Sequence, residues 1–169
     1  MEEIPFDHLT LPVFETFSKG WFLVGAGDYK AGSWNCMTVS WGFLGTMWGK
    51  PVAQIVIRPQ RYTREFLDSG ETFTLSAFPE EYRDALKLLG TKSGRDCDKV
   101  AQAGLHPKAS LHVPAPSFAE ASLTLECKKL YRQPMGEASF LSPGLLPKWY
   151  PGKDYHIVYI GEVLSAIRS

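Results

Sequence analysis

The sequence predicts a mainly β protein, whose strands form a mostly antiparallel barrel with short helices at its mouths or edges. About six segments have the β-branched, apolar or alternating composition of strands, and three short segments have that of helices. Most of these strands follow one another directly, whereas a parallel sheet would need a crossover helix between each pair. The chain of 169 residues has the size of one domain, so we expect residues 1–169 to form a single domain.

The composition is that of an ordinary soluble globular protein, with 44% hydrophobic and 21% charged residues. Lysine plus arginine and aspartate plus glutamate both total 18, so the chain has no general attraction for nucleic acid or an anionic membrane. No apolar segment approaches the roughly 20 residues of a membrane-spanning helix. We therefore expect neither nucleic acid nor a membrane as a partner, and any anion must bind to a local cluster of cations.

The cysteines and histidines predict neither a disulfide framework nor a metal site. Cys36, Cys97 and Cys127 form no Cys-x-x-Cys pair and are odd in number, which favours a reducing, cytoplasmic location. The acidic first residues lack the basic and apolar regions of a signal peptide. The four histidines have no metal-ligand spacing to one another or to the cysteines.

Strands dominate the first third of the chain. Residues 21–27 are a short apolar strand, and the glycines and polar residues of 28–33 predict a turn. Residues 35–44 alternate in character and are predicted to form one strand, followed by a loop over 45–51. Residues 52–57 are β-branched and almost fully apolar, as is typical of a buried strand.

A helix is expected on each side of the next strand. Thr63 is a good N-cap for a short helix over 64–69, which Gly70 would end. Residues 72–78 alternate between apolar and small polar side chains and predict a strand. A second helix is expected over 79–89, because it opens with proline and has two glutamates in its first turn.

The last third contains two further strands and long irregular segments. Residues 96–103 predict a third short helix, whereas the three prolines of 106–116 require an irregular or edge-like segment. Residues 121–131 alternate as a strand does. Residues 133–154 are rich in proline and glycine and predict a long connection to a final strand over 156–167.

The predicted strand at 35–44 has two different faces. Its bulky apolar face consists of Met37, Val39, Trp41 and Phe43. Its small, weakly polar face consists of Cys36, Thr38, Ser40 and Gly42. A flat aromatic ligand could approach the backbone on the small face, with the bulky face supporting it from the core. The alternative is a small face that is solvent-exposed or packed on a neighbouring element.

Two basic segments precede predicted helices and could each bind a phosphate. Three arginines lie in the segment from Arg58 to Arg64, at the end of a buried strand. The segment from Thr91 to Asp96 combines hydroxyls, two cations and a glycine, but it lacks the spacing of a Walker loop. Free backbone N–H groups and the helix dipole favour anions at such positions. Each segment could instead be a solvated connector.

His156 begins the last predicted strand. A histidine in this position could donate a hydrogen bond to a cofactor or position a reductant. The alternative is an edge residue with no function beyond its own hydrogen bonds.

These motifs together resemble the flavin reductase-like family, and most closely its flavoredoxin-type branch. They are Asn35-Cys-Met-Thr-Val-Ser-Trp41, Arg58-Pro-Gln-Arg-Tyr-Thr63, Lys92-Ser-Gly-Arg-Asp-Cys-Asp-Lys99, and Tyr155-His156 leading into Ile160-Gly-Glu-Val163. The resemblance runs from about residue 20 to residue 163 and is carried by the order and spacing of the motifs.

The resemblance implies the FMN-binding split barrel, an antiparallel barrel that forms homodimers and holds FMN non-covalently near the dimer interface. It implies an NAD(P)H-dependent flavin reductase that passes hydride from nicotinamide to flavin N5, with an unknown electron acceptor. One alternative is a flavoredoxin-type electron-transfer protein without NAD(P)H activity of its own. Another is a split-barrel binding protein without redox chemistry.

The resemblance also assigns residues to the flavin. The residues along the isoalloxazine and ribityl chain are Asn35, Cys36, Met37, Thr38, Val39, Ser40 and Trp41, with contacts expected mainly from their backbone. The residues on the phosphate side are Arg58 and Thr63, with Arg61 and Tyr62 nearby. Lys92, Ser93 and Arg95 complete the phosphate and ribityl contacts. His156 is the residue placed next to the flavin and the nicotinamide site, and it is the one catalytic residue expected.

Overall fold

Ten strands and five α-helices account for most of residues 2–169, which are the residues that the computed structural model describes. The strands are β1 Glu2–Glu3, β2 Phe22–Asp28, β3 Ser33–Val39, β4 Gly42–Met47, β5 Lys50–Ile57, β6 Thr72–Ala77, β7 Pro107–Ala109, β8 Pro116–Phe118, β9 Leu123–Pro134 and β10 Ile157–Arg168. The helices are α1 Val13–Glu15, α2 Thr63–Ser69, α3 Arg83–Thr91, α4 Lys99–Gln102 and α5 Leu145–Trp149.

Eight of the strands form one antiparallel sheet. Its order is β3-β2-β6-β9-β10-β5-β4, with β1 paired to β10, while β7 and β8 form a separate antiparallel pair. The two longest strands, β9 and β10, pair along their length with two register shifts, where the sheet can bend. The predicted class of a mainly β, antiparallel fold with a few short helices is therefore confirmed.

Two apolar clusters lie on opposite sides of the strands β2 and β3. The larger cluster is enclosed by the sheet, and its bulkiest fully buried members are Phe22, Ile55, Phe73 and Tyr159. The second cluster lies between these strands and helices α3 and α4, and it consists chiefly of Leu23, Cys36, Leu86, Leu89 and Phe118. Strand β3 is therefore covered on both faces around Cys36 and Met37.

The predicted single strand over residues 35–44 is wrong, because β3 ends at Val39 and β4 begins at Gly42. A Cβ atom on Gly42 would lie 2.5 Å from both the Gln54 carbonyl oxygen and the Phe17 ring. The chain therefore turns between two strands at a place where only glycine allows such a close approach.

The predicted loop over residues 45–51 is also wrong, since it is a tight β-hairpin. Met47 pairs with Lys50, and the two residues between them, Trp48 and Gly49, have φ angles of 54° and 68°. Positive φ at both central residues is the feature of type I′ hairpin turns. Tryptophan rarely adopts positive φ, so the local composition only weakly indicates a tight turn here.

The helices begin and end differently from the predictions. Thr63 is the first residue of α2 rather than its N-cap, and its hydroxyl accepts a hydrogen bond from Asn35 instead. Helix α3 begins at Arg83 after a 3-10 turn and continues through Gly90, which was expected beyond its end. Helix α4 is shorter than predicted and begins at an N-cap aspartate, whose side chain accepts the N–H of Ala101 at 3.0 Å.

Candidate functional site

A two-part cleft lies where β3 and β5 end. The aromatic depression, of about 240 Å³, is lined by Met37, Thr38, Val39, Ser40, Trp41, Val56, Arg58, Arg61, Trp149 and His156. The cationic depression, of about 130 Å³, is lined by Asn35, Met37, Gln60, Arg61, Tyr62, Thr63, Thr91, Lys92, Ser93, Gly94 and Lys99. The two depressions share Met37 and Arg61 and are therefore adjacent parts of one cleft.

Three rings form the wall of the aromatic depression. The Trp41 ring meets the Trp149 ring edge-on at a centroid distance of 4.9 Å, and the His156 ring lies 5.1 Å from Trp41. Trp41 was predicted to belong to the core, but its side chain stays 38% exposed because the strand ends just before it. Such a wall suits a flat aromatic ligand.

His156 lies just before the first residue of β10 and is buried. Its Nδ1 atom lies 2.7 Å from the Tyr150 hydroxyl. Burial, and after it the charge of Arg58, lower the pKa of His156 from 6.5 to about 4. The imidazole is therefore uncharged at neutral pH and offers one N–H donor and one nitrogen acceptor.

Arg58 lies at the aromatic depression and not at the cationic depression. It forms an ion pair with Asp154, and its Nη2 donates to the Trp149 carbonyl at 2.8 Å. Gln60 donates to the same carboxylate at 2.9 Å. Arg58 lines the aromatic depression only, so the structure does not group it with the other residues predicted for a phosphate.

One buried and one half-buried cation, Lys99 and Arg61, face the cationic depression. Lys99 is 3% exposed, and its ammonium donates to the carbonyl groups of Leu89 at 3.0 Å and Lys92 at 3.3 Å. Arg61 donates to the Gly90 carbonyl. Neither cation forms an ion pair with any residue in the described range 2–169, and burial lowers the pKa of both. An anion bound here would offset the cost of burying these charges.

The remaining predicted phosphate and ribityl residues surround this depression or lie beside it. The Asn35 amide donates to the Thr63 hydroxyl at 3.0 Å. The loop at Gly94 packs against Asn35, since a Cβ atom on Gly94 would lie 2.5 Å from the Asn35 amide oxygen. Lys92 and Ser93 line the depression. Arg95 does not, because it pairs with Glu65 and lies over the Tyr62 ring.

The predicted ligand floor of small side chains is wrong for Cys36 and Gly42. Cys36 is fully buried in the second apolar cluster, and Thr38 donates a hydrogen bond to the Leu86 carbonyl of α3. The alternative, a face packed on a neighbouring element, is what the structure shows. Burial raises the pKa of the Cys36 thiol to about 12, so this thiol stays protonated. Only Thr38 and Ser40 of the small residues border the cleft.

Sequence reasoning missed Lys99 as a site residue, although it lies at the end of the basic motif beginning at Lys92. A lysine in the first turn of a short helix ordinarily lies in solvent. Its burial depends on the packing of α4 against α3, which a local pattern does not reveal. Trp149 was not among the predicted site residues either, because its position depends on the long connection between β9 and β10.

Residues 2–169 contain no helix that is long and apolar enough to cross a membrane. Within the same range, no group of three or more histidine, cysteine, aspartate or glutamate side chains is arranged to hold a metal ion.

Residues 14–168 match the family model described as the flavin reductase like domain. The chain belongs to the flavin reductase-like family. The match includes every residue of the cleft, and it confirms the family that the sequence motifs indicated. No curated protein sequence matches the chain significantly.

Solved structures of flavin reductase-like proteins share the fold of this chain at low identity. Flavoredoxin of Desulfovibrio vulgaris (Miyazaki F) has a TM-score of 0.69 at 22% identity, covering 100% of this chain and 77% of that one. The FMN-binding protein of Thermus thermophilus has a TM-score of 0.67 at 22% identity, covering 100% and 82%. The NADH:FAD oxidoreductase of Streptomyces globisporus, solved with NAD and FAD fragments, has a TM-score of 0.65 at 19% identity, covering 89% and 74%. The predicted split-barrel fold is thereby confirmed.

Proposed function

We propose that this flavin reductase-like chain binds FMN in the cleft and is an NAD(P)H-dependent flavin reductase. The observation that carries the proposal is the pairing of an aromatic depression with a cationic one. FMN has the same two parts, a flat ring system and a phosphate dianion. The two depressions are adjacent, since Met37 and Arg61 line both, and we propose that one FMN occupies them together.

The residues present fit FMN in size and charge. The combined volume of the two depressions exceeds the roughly 300 Å³ of the smallest ordinary ligand pockets. Arg61 and Lys99 supply positive charge that no carboxylate within residues 2–169 neutralises through an ion pair, as a phosphate site requires. The proposed cofactor-binding residues are Asn35, Met37, Thr38, Val39, Ser40, Trp41, Arg61, Tyr62, Thr63, Lys92, Ser93 and Lys99.

The chain's own side chains would orient the ring and keep water from it. Trp41 and Trp149 supply an apolar aromatic wall, and the uncharged His156 supplies a hydrogen-bonding nitrogen beside them. When bound, FMN supplies the acceptor for hydride from a nicotinamide, at its N5 atom. The protein contributes position and electrostatics, and His156 is the one side chain proposed to touch the reacting groups.

The comparisons support a flavin and a nicotinamide as ligands. The Thermus thermophilus structure is that of an FMN-binding protein, and the Streptomyces globisporus enzyme was solved with NAD and FAD fragments. We extend these ligands to this chain on the strength of the shared family and of the cleft. The proposal includes one domain over residues 1–169 and a cytoplasmic location, where the free thiols of the chain would stay reduced.

A second candidate function is electron transfer without NAD(P)H activity, in which another protein reduces the flavin. The similarity to flavoredoxin of Desulfovibrio vulgaris favours it.

The visible absorbance spectrum of the purified protein, before and after addition of FMN, tests flavin binding. A flavin spectrum is expected, and a protein that stays colourless after reconstitution would contradict both functions and favour a binding protein without redox chemistry. NADH and NADPH oxidation in the presence of FMN then separates the two candidates. Turnover supports the reductase, whereas bound flavin without turnover supports the electron carrier.

A further inference from the structure

Tyr150 and His156 form a buried pair beside the cleft. Their side chains are 6% and 7% exposed, and the Tyr150 hydroxyl lies 2.7 Å from Nδ1 of His156. The two rings are nearly perpendicular, at an interplanar angle of 82°. Tyr150 follows helix α5, and the Arg58 guanidinium lies over its ring at 5.2 Å. The position of the pair is therefore set by α5, by the start of β10 and by Arg58 at the end of β5.

The hydrogen-bonding needs of the pair select one arrangement of its protons. An uncharged imidazole carries one N–H, on either Nδ1 or Nε2. If Nδ1 carried it, the Tyr150 hydroxyl would have, within residues 2–169, only the Met135 sulfur, at 3.7 Å, as an acceptor. A thioether is a weak acceptor, whereas an imidazole nitrogen is a good one. The favoured arrangement has Tyr150 donating to Nδ1, which leaves the proton of His156 on Nε2.

Nε2 is the nitrogen that remains for a ligand. It forms no hydrogen bond with any residue of the described chain, 2–169, and His156 lines the aromatic depression. In that same part of the chain, the Ser165 hydroxyl is the one side-chain polar atom sealed from solvent without a partner, so Nε2 is not sealed from solvent, and the surface that His156 lines is the aromatic depression.

We propose that Tyr150 is a positioning residue, which holds His156 as the Nε2–H tautomer so that the cleft presents a hydrogen-bond donor to its ligand. The ligand atom that meets this donor must be an acceptor, namely a carbonyl oxygen or an unprotonated ring nitrogen. This inference rests on the proposed function for the identity of the ligand, since an oxidised flavin ring offers both kinds of acceptor. The tautomer itself is a property of the protein without ligand.

Nuclear magnetic resonance of the flavin-free protein tests the tautomer directly. With ¹⁵N-labelled histidine, two-bond proton–nitrogen correlations distinguish Nε2–H from Nδ1–H. The wild type is expected to show the Nε2–H pattern for His156, and Y150F is expected to lose it in favour of a mixture. Y155F is the matched control, because Tyr155 belongs to the same aromatic cluster but donates to Glu137 instead.

Two results would overturn the inference: an Nδ1–H pattern in the wild type, or an unchanged Nε2–H pattern in Y150F. The wild-type spectrum needs no substitution, so the tautomer can be determined even if Y150F fails to fold.

A second measurement concerns the ligand. FMN affinity should fall roughly three- to tenfold in Y150F and stay unchanged in Y155F, because one neutral hydrogen bond loses its fixed geometry. Equal FMN affinity in Y150F and the wild type would overturn the positioning role. Absence of FMN binding in the wild type would refute the proposed function but would leave the NMR result on the tautomer standing.

Discussion

At the scale of single residues, the charge of the cationic depression comes from two side chains that are held by backbone carbonyl groups. Lys99 and Arg61 donate to carbonyls at the end of α3, where the helix dipole favours cations. Burial nevertheless disfavours their charged forms and lowers the pKa of both. A bound phosphate would complete the set of interactions that these cations need.

Replacement of Lys99 tests whether the cationic depression binds a phosphate. K99M should weaken FMN binding roughly ten- to a hundredfold, because a charge-assisted hydrogen bond to the phosphate is lost. Fluorescence titration of FMN into the flavin-free protein measures the affinity. K30M is the control, since Lys30 is an exposed turn residue. Equal affinities in K99M and K30M would contradict a phosphate site at Lys99.

The lowered pKa of His156 predicts a dependence of stability on pH. Its pKa is about 4 in the folded protein and near 6.5 in the unfolded chain, so the unfolded chain binds more protons between these values. The resulting stability is fully present above pH 6.5 and is lost as the pH falls towards 4.

H156Q removes this titration. Between pH 7 and pH 4.5, the free energy of unfolding should fall by about 1–2 kcal/mol less in H156Q than in the wild type. Urea denaturation at a series of pH values measures the difference. H8Q, at an exposed histidine, should follow the wild type. If H156Q were to lose as much stability as the wild type, His156 would not be a buried neutral histidine.

At the scale of elements, the hairpin of β4 and β5 depends on a close approach at Gly42. The Cβ of an alanine there would lie 2.5 Å from a backbone oxygen, which cannot move independently of β5. Gly45 lies in the same strand, and a Cβ atom added to it would meet nothing within 4 Å. The two glycines therefore form a matched pair for substitution.

G42A should lower the free energy of unfolding by about 1–3 kcal/mol, because overpacking forces the backbone to shift. G45A should change it by less than about 0.5 kcal/mol. Chemical denaturation of both variants measures the two values. Equal stabilities would show that the junction between β3 and β4 is not tightly packed.

The sequence predicted most elements but not the way in which the elements cover one another. Alternation placed Met37 and Val39 in the core correctly, since both pack inside the sheet. It could not distinguish an open small face from a covered one, because Cys36 meets α3 only through tertiary packing. The basic segments after β5 and α3 were predicted from the sequence, because their charged residues are neighbours in the chain. These segments supply most of the residues that line the cationic depression. Lys99 and Trp149 required the packed structure.

At the scale of the whole molecule, edge strand β4 exposes an apolar surface. Phe43 and Met47 share one face of this strand and are 66% and 44% exposed, and Trp48 in the adjoining turn is 56% exposed. Contiguous exposed apolar residues mark interaction surfaces in soluble proteins. We propose that this surface lies in the homodimer expected from the sequence motifs.

F43K tests the homodimer. A lysine at this position would have to bury its charge at the interface, so the variant should dissociate to monomers at concentrations where the wild type is dimeric. Light scattering coupled to size-exclusion chromatography measures the mass. L141K is the control, because Leu141 is 94% exposed in the connection between β9 and β10. A monomeric wild type would refute the homodimer, and a dimeric F43K would exclude Phe43 from its interface.

The attachment of the aromatic wall has an evolutionary consequence. Trp149 and Tyr150 belong to the connection between β9 and β10, which Arg58 and Gln60 tie to the end of β5 through Asp154 and the Trp149 carbonyl. The cationic depression is built from other segments. A family with this division can exchange one connection, and with it the lining of the aromatic depression, while the residues of the cationic depression stay unchanged. Diversity of reaction partners would then accumulate in a single stretch of about twenty residues.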